Sequence, residues 1–140
     1  MLSYQKNNTM HSLIKKLVLT ALLFGNLVFA YAQKEIFLRQ IEFKLERVSD
    51  IEYENEYFMT MKFNKGESYL FKITNHLDNY AGEAILEILE ADKLMITNDI
   101  NDKYYENLTF VCNKTGFYDI LVKFKDNKVG NSVIDIKLLQ

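Results

Sequence analysis

The sequence predicts an all-β protein: an antiparallel β-sandwich, of jelly-roll or immunoglobulin-like topology, with about seven to eight strands after a cleaved signal peptide. Two observations carry the fold class. Apolar and polar residues alternate with a period of two along most of residues 36–139, and clusters of Asn, Asp and Gly interrupt this alternation in a chain without Pro. A third observation predicts export: the N-terminal segment is rich in apolar residues and free of acidic ones.

The N-terminal segment, residues 1–32, has the pattern of a secretory signal peptide. It holds three Lys and no Asp or Glu, and its uncharged run ends in Ala30-Tyr31-Ala32. A transmembrane helix needs about 20 apolar residues, whereas this run is shorter and contains Gly25 and Asn26. We therefore expect cleavage after Ala32, a secreted or periplasmic protein, and no stable membrane anchor after cleavage.

The alternation defines the strands of the single β-sandwich domain expected over residues 33–140. Ile41, Phe43 and Leu45, for example, alternate with charged residues, and a pleated strand places such a set on one face. Asn and Asp tolerate left-handed backbone, so their clusters mark the turns. The predicted strands cover residues 36–47, 56–63, 67–74, 83–90, 94–97, 107–113, 116–125 and 132–139.

The segment from Gly82 to Lys93 is the ambiguous stretch. It is rich in Glu, Ala and Leu, and its apolar residues could also form one stripe of a helix. Helix propensity is a weak guide against context, and residues 94–97 follow at the distance of a β-hairpin. We therefore predict a strand here as well.

Composition limits the function classes. Without residues 1–32 the chain has 108 residues, with 14 basic and 19 acidic side chains and a net charge of −5. Such a domain lacks the basic excess that neutralises phosphates, so we expect no nucleic-acid partner. One Cys excludes an intrachain disulfide framework and a Cys-cluster zinc site.

Few residues could carry catalysis. His76 is the only His after residue 32 and lies in a polar turn segment, so we expect a surface residue rather than a catalytic base. Cys112 shares a strand face with Leu108 and Phe110 and is expected to be buried and unreactive, although an unpaired Cys in an exported protein leaves an intermolecular disulfide open. We predict no enzyme activity, no catalytic residue and no cofactor.

An acidic stretch raises the question of a metal. Asp50, Glu52, Glu54 and Glu56 offer the oxygen ligands that Ca²⁺ takes, but their spacing differs from that of an EF-hand loop. We expect a solvated loop or an edge strand whose charges discourage aggregation, and no metal site. Calcium binding is the alternative.

Three tyrosines are candidate ligand contacts. Tyr80, Tyr104 and Tyr105 lie in polar loops, where aromatic rings can stack on sugars or anchor a partner. The other interpretation is that these rings cover the core, and the lack of Trp weakens the case for carbohydrate binding.

Two segments resemble a known class of module. Residues 65–73 and 108–122 are similar to paired strands of small secreted bacterial β-sandwiches, the second through Thr115-Gly116-Phe117-Tyr118. Together they resemble the prepeptidase C-terminal and GOLD-like class across residues 56–139. The resemblance implies a non-catalytic module for adhesion, carbohydrate or protein contacts. It also implies a tight turn at Gly116, which Gly116→Val would strain.

The sequence thus predicts an exported, non-catalytic β-sandwich that acts as a protein- or envelope-binding module through its loops or an edge strand. The alternative is a glycan- or small-ligand-binding module, assisted by calcium, with Tyr80, Tyr104 and Tyr105 as contacts. A minimal hydrolase is disfavoured because His76 stands alone and a nucleophilic triad needs more partners.

Overall fold

The computed structural model describes residues 32–140, so the predicted signal peptide lies outside the described residues. Residues 33–140 form one compact unit. Its ten strands are β1 (Glu35–Leu45), β2 (Glu56–Phe63), β3 (Ser68–Thr74), β4 (Ala84–Glu90), β5 (Lys93–Thr97), β6 (Asp99–Ile100), β7 (Lys103–Tyr104), β8 (Asn107–Val111), β9 (Gly116–Phe124) and β10 (Gly130–Leu139). Three short 3₁₀ helices span Glu52–Asn55, Leu77–Asn79 and Lys125–Asn127.

The strands form a sandwich of two four-stranded antiparallel sheets. Sheet A has the order β1-β10-β3-β8, sheet B has the order β2-β9-β4-β5, and β6 pairs with β7 in a small hairpin. The predicted all-β class and all eight predicted strand segments are confirmed. The β6–β7 hairpin was not predicted, because two-residue strands are too short to show an alternation. No helix within residues 32–140 has the length and apolar character of a membrane span.

The stretch that could have formed a helix is a β-hairpin, as predicted. β4 and β5 are joined by Ala91 and Asp92, which have φ of 48° and 64°. Positive φ at both central residues is typical of the tight turns that match the twist of the flanking strands. Leu86 and Ile88 are fully buried in the core, so tertiary packing overrides the helix propensity of this segment.

Aromatic side chains join the two sheets. Phe43 of sheet A stacks on Phe124 of sheet B, with ring centroids 4.8 Å apart. At the other end of the core, Phe63 of sheet B contacts Tyr69 and Phe110 of sheet A at 4.4 and 5.4 Å between centroids. Such buried rings are a large part of the apolar area that stabilises a domain of this size.

The expected tight turn at Gly116 is wrong. Gly116 is the first residue of β9 and pairs with Phe63, while among the glycines of residues 32–140 it is Gly66 that has a positive φ, of 86°. A Cβ at Gly116 would meet only Cε2 of Tyr118, at 4.0 Å, so Gly116→Val lacks the predicted source of strain. The crowded glycines are Gly82, where a Cβ would lie 2.6 Å from the Val129 carbonyl oxygen, and Gly130, where a Cβ would lie 2.2 Å from Cε1 of Phe124.

Two buried tyrosines fasten turns beside Phe63. The Tyr69 hydroxyl accepts a hydrogen bond from the Asn64 N–H at 3.0 Å and donates one to the Glu67 carboxylate. The Tyr118 hydroxyl donates to the Lys114 carbonyl at 2.7 Å. Both side chains are 2% exposed, and burial is the main cause that raises the pKa of each to about 12.

We expect the free energy of unfolding to fall as the pH rises from about 10 to about 12. Tyrosine in the unfolded chain has a pKa of about 10, so in this window the unfolded chain loses protons that the folded protein keeps, which favours unfolding. Tyr69 and Tyr118 each contribute about 2 to 3 kcal/mol to this loss. Urea denaturation at about pH 9 and about pH 12 measures it. Tyr118→Phe removes part of the pH dependence; an unchanged dependence in that variant contradicts the assignment.

Candidate functional site

The outer faces of the two sheets differ in character. The outer face of sheet A is mostly polar: Gln40, Asp135 and Lys72 lie in one cross-strand row, and Nε2 of Gln40 donates to Asp135 at 2.8 Å. The outer face of sheet B carries large apolar side chains, with Phe58 62% and Phe117 71% exposed. Exposed apolar patches of this kind are typical of interaction surfaces.

The strand register of sheet B collects these side chains into one surface. Phe58 of β2 lies opposite Leu121 of β9, and Leu89 of β4 lies opposite Leu94 of β5. Phe58, Leu121 and Leu89 point away from the core, because successive side chains of a strand point to opposite faces of the sheet. We call this surface the sheet-B face and define it by Phe58, Leu89, Leu94, Phe117 and Leu121.

The polar groups within the sheet-B face have partners of their own. Nζ of Lys123 lies 3.1 Å from a carboxylate oxygen of Glu87, and the Thr60 hydroxyl donates to Asp119 at 2.7 Å. The ion pair neutralises Lys123 and Glu87, and the hydrogen bond occupies the Asp119 carboxylate. These polar groups lie between the apolar side chains. The apolar residues, by contrast, have no covering element in the part of the chain that the structure describes.

An acidic segment, residues 46–56, borders the sheet-B face. It contains five acidic residues and one basic residue, Arg47. Its last residue, Glu56, begins β2, and Glu56 and Phe58 lie on the same side of that strand because side chains alternate. β2 is an edge strand of sheet B, so the prediction of an acidic loop or edge strand is confirmed.

A buried side chain holds the acidic segment in place. Asn55 is 5% exposed; its Oδ1 accepts from the Ser49 N–H and its Nδ2 donates to the Ser49 carbonyl, both at 2.7 Å. Tyr53 and Ile51 are then left 73% and 45% exposed. The same segment forms a cleft of about 490 Å³, lined by Arg47, Val48, Ser49, Asp50, Ile51 and Glu54.

The described residues contain no preformed cation site. Within residues 32–140 no group of three or more His, Cys, Asp or Glu side chains is arranged to hold a metal ion. The carboxylate of Glu54 instead accepts a hydrogen bond from the Ser49 hydroxyl at 2.5 Å. The acidic residues from Asp50 to Glu56 therefore do not converge on one cation position.

The three candidate tyrosines have different surroundings. Nζ of Lys44 lies 5.4 Å from the ring centroid of Tyr80, and Nζ of Lys125 lies 4.7 Å from that of Tyr104. Burial raises the pKa of Tyr104, whose hydroxyl has no hydrogen-bond partner among the described residues. Tyr105 is 47% exposed. Tyr104 lines a cleft of about 310 Å³ with residues that include His76, Glu83 and Glu106.

Asn98 positions the hairpin that carries Tyr104. The sequence places Asn98 in a turn cluster, but the residue is 1% exposed. Its Oδ1 accepts from the Leu86 N–H at 2.7 Å, and its Nδ2 donates to the carbonyls of Ala84 at 3.0 Å and Tyr105 at 3.3 Å. The side chain thus bonds to β4 just beyond the end of β5 and links that strand to the β6–β7 hairpin.

The two residues considered for catalysis lie as predicted. His76 is exposed in a turn, with a left-handed φ of 61°. Cys112 is 1% exposed, and its Sγ donates to the Lys114 carbonyl at 3.1 Å. A sulfur buried to this degree is inaccessible to another chain, so the intermolecular disulfide is not supported.

Sequence reasoning missed the sheet-B face. The signal was present: Phe58 and Leu121 occupy the outward phase of strands whose other outward residues are mostly polar. An apolar residue in the solvent phase of an alternating strand is an exception that the pattern itself marks.

No protein-family model and no curated protein matches the chain. Among solved structures, the chain is similar to PliG of Aeromonas hydrophila, described as a periplasmic lysozyme inhibitor of g-type lysozyme, with a TM-score of 0.47 and 16% sequence identity. The match covers 79% of this chain and 90% of that chain. A likeness this distant assigns neither a family nor a function.

Proposed function

We propose that this chain is an exported, non-catalytic β-sandwich that binds a protein partner, in solution or on the cell envelope, through the sheet-B face. The observation that carries the proposal is the exposure of Phe58 and Phe117 on the outside of a well-packed sheet. Aromatic side chains are enriched at the centres of protein interfaces. The paired strands hold the backbone of these residues in place before binding, which lowers the ordering cost of association.

Export and the lack of catalysis are parts of this proposal. Export to the periplasm or the medium rests on the basic and apolar pattern of residues 1–32. The absence of catalysis rests on a single exposed His after residue 32 and a buried Cys112. A member of the prepeptidase C-terminal and GOLD-like class would have this non-catalytic character, and membership of that class is part of the proposal.

The proposal is tested by substitution of Phe58. The full chain with an affinity tag, its Phe58→Asp variant and a Val111→Asp variant are each used to capture proteins from an envelope extract. Val111 is the matched control, because it is 54% exposed but lies on β8 of sheet A. We expect a protein that the wild type and Val111→Asp retain and Phe58→Asp loses by at least about tenfold, the loss expected for an interface hot spot. Equal capture by all three would contradict the proposal.

A glycan- or small-ligand-binding module is the second candidate. The exposed ring of Tyr105, and the cleft of about 310 Å³ beside Tyr104, favour it; Tyr80 would be a further contact. Lys125 covers the Tyr104 ring and Lys44 the Tyr80 ring, so Tyr105 would make the main contact. Carbohydrate binding on a glycan array that persists in Phe58→Asp and is lost in Tyr105→Ala distinguishes this candidate from the first.

A further inference from the structure

We infer that the partner of the sheet-B face is a cationic protein, whose apolar centre covers Phe58 and whose basic rim lies against the acidic segment of residues 46–56. This inference rests on the proposed function and names the partner class for the same surface. It is drawn from the distribution of charge around an apolar sheet face that the described residues leave uncovered.

The acidic segment has a net charge almost as large as that of the whole domain. Residues 33–140 have a net charge of −5 and residues 46–56 a net charge of −4, so the other residues together contribute −1. The acidic residues of this segment other than Glu56 are exposed, and Asp50 and Glu52 form no ion pair among the described residues. Their field therefore extends into solvent rather than being cancelled within the protein.

The acidic segment is continuous with the apolar surface. Glu56 and Phe58 lie on the same side of β2, and the 3₁₀ helix Glu52–Asn55 leads directly into that strand. Tyr53, 73% exposed, adds an aromatic ring among the carboxylates. An apolar centre with charges of one sign at one border is the arrangement that steers a partner of opposite charge to the surface.

The same charges argue against two other occupants. In a dimer formed through the sheet-B face, both copies would carry a net charge of −5, and like-charge juxtaposition disfavours association. An acidic membrane surface would be repelled for the same reason. A cationic protein gains from both the apolar and the charged parts of the surface.

The test compares two variants of equal net charge. The acid variant combines Asp50→Lys and Glu52→Lys. The control variant combines Glu42→Lys and Glu106→Lys, since both residues are exposed and lie outside the acidic segment. The probe is the protein that the wild-type chain captures and Phe58→Asp loses, identified by mass spectrometry and purified. Surface plasmon resonance then gives its association rate at about 0.05 M and about 0.5 M NaCl.

We expect a probe protein with a basic isoelectric point, an association rate reduced on the order of tenfold in the acid variant, and a similar reduction for the wild type at the higher salt concentration. The control variant should retain the wild-type rate within about twofold. An acidic or neutral probe, or equal rates in the two variants, overturns the inference and leaves the proposed function intact. If no protein is captured through Phe58, or if sedimentation shows a dimer that Phe58→Asp dissociates, both the inference and the proposed function fail.

Discussion

Replacement of Phe63 by Ala is expected to lower the free energy of unfolding by about 3 to 5 kcal/mol, the usual cost of deleting a fully buried aromatic ring. Phe63 is 0% exposed, and its ring lies between 4.4 and 6.2 Å, centroid to centroid, from the rings of Tyr69, Phe71, Phe110 and Tyr118. The cavity left by the ring would lie between the two sheets, where the backbone of neither sheet can collapse to fill it.

The matched control for this prediction is Phe117→Ala. Phe117 lies on the adjacent strand and is 71% exposed, so its truncation removes little buried area and should change stability by less than about 1 kcal/mol. Chemical denaturation of both variants measures the difference. Similar losses in the two variants would mean that Phe63 does not occupy the centre of the core.

Replacement of Asn98 by Ala is expected to destabilise the protein by about 2 to 4 kcal/mol. The substitution leaves the Leu86 N–H and the Ala84 carbonyl without their side-chain partners, and an unsatisfied buried polar group costs about 1 to 3 kcal/mol. The loss should be accompanied by faster amide hydrogen exchange in the β6–β7 hairpin, which the Asn98 side chain holds through the Tyr105 carbonyl.

Asn107→Ala is the control for Asn98→Ala. Asn107 is exposed at the start of β8, so we expect a change within about 0.5 kcal/mol. A small effect of Asn98→Ala on stability, comparable to that of Asn107→Ala, would show that water replaces the lost amide and that this residue is not a structural anchor.

The strands could be predicted from the sequence because burial of one face imposes a period of two. Ile41, Phe43 and Leu45 are all buried, and they alternate with exposed charged residues because only one face of β1 packs into the core. Context rather than alternation predicts Ala84–Glu90 as a strand, since a segment between strands gains more from packing in a sheet than from its helix propensity.

Positions that depend on the tertiary environment could not be predicted. Asn is typical of turns, and the sequence does not show that Asn98 lies at the end of β5 beside β4. In that position its side-chain amide is buried and bonds to the β4 backbone. Gly116 follows a turn cluster in the sequence but has extended backbone, whereas Gly130 is constrained by the ring of Phe124. The sheet-B face was missed because a sequence pattern indicates which residues are buried, but not which exposed residues of several strands lie on one face.

The pairing of β1 with β10 has a mechanical consequence. Lys34 and Gln140 exchange two backbone hydrogen bonds, of 3.1 and 2.8 Å, so the two ends of the β-unit lie side by side at one corner of sheet A. A force that separates these ends breaks the hydrogen bonds between β1 and β10 one at a time, starting near Lys34 and Gln140. It does not load all of these bonds together. If the domain were tethered at both ends, β1 would therefore begin to peel away at low tension from its first residues, and the stacked rings of Phe43 and Phe124 would separate only when the far end of that strand is reached.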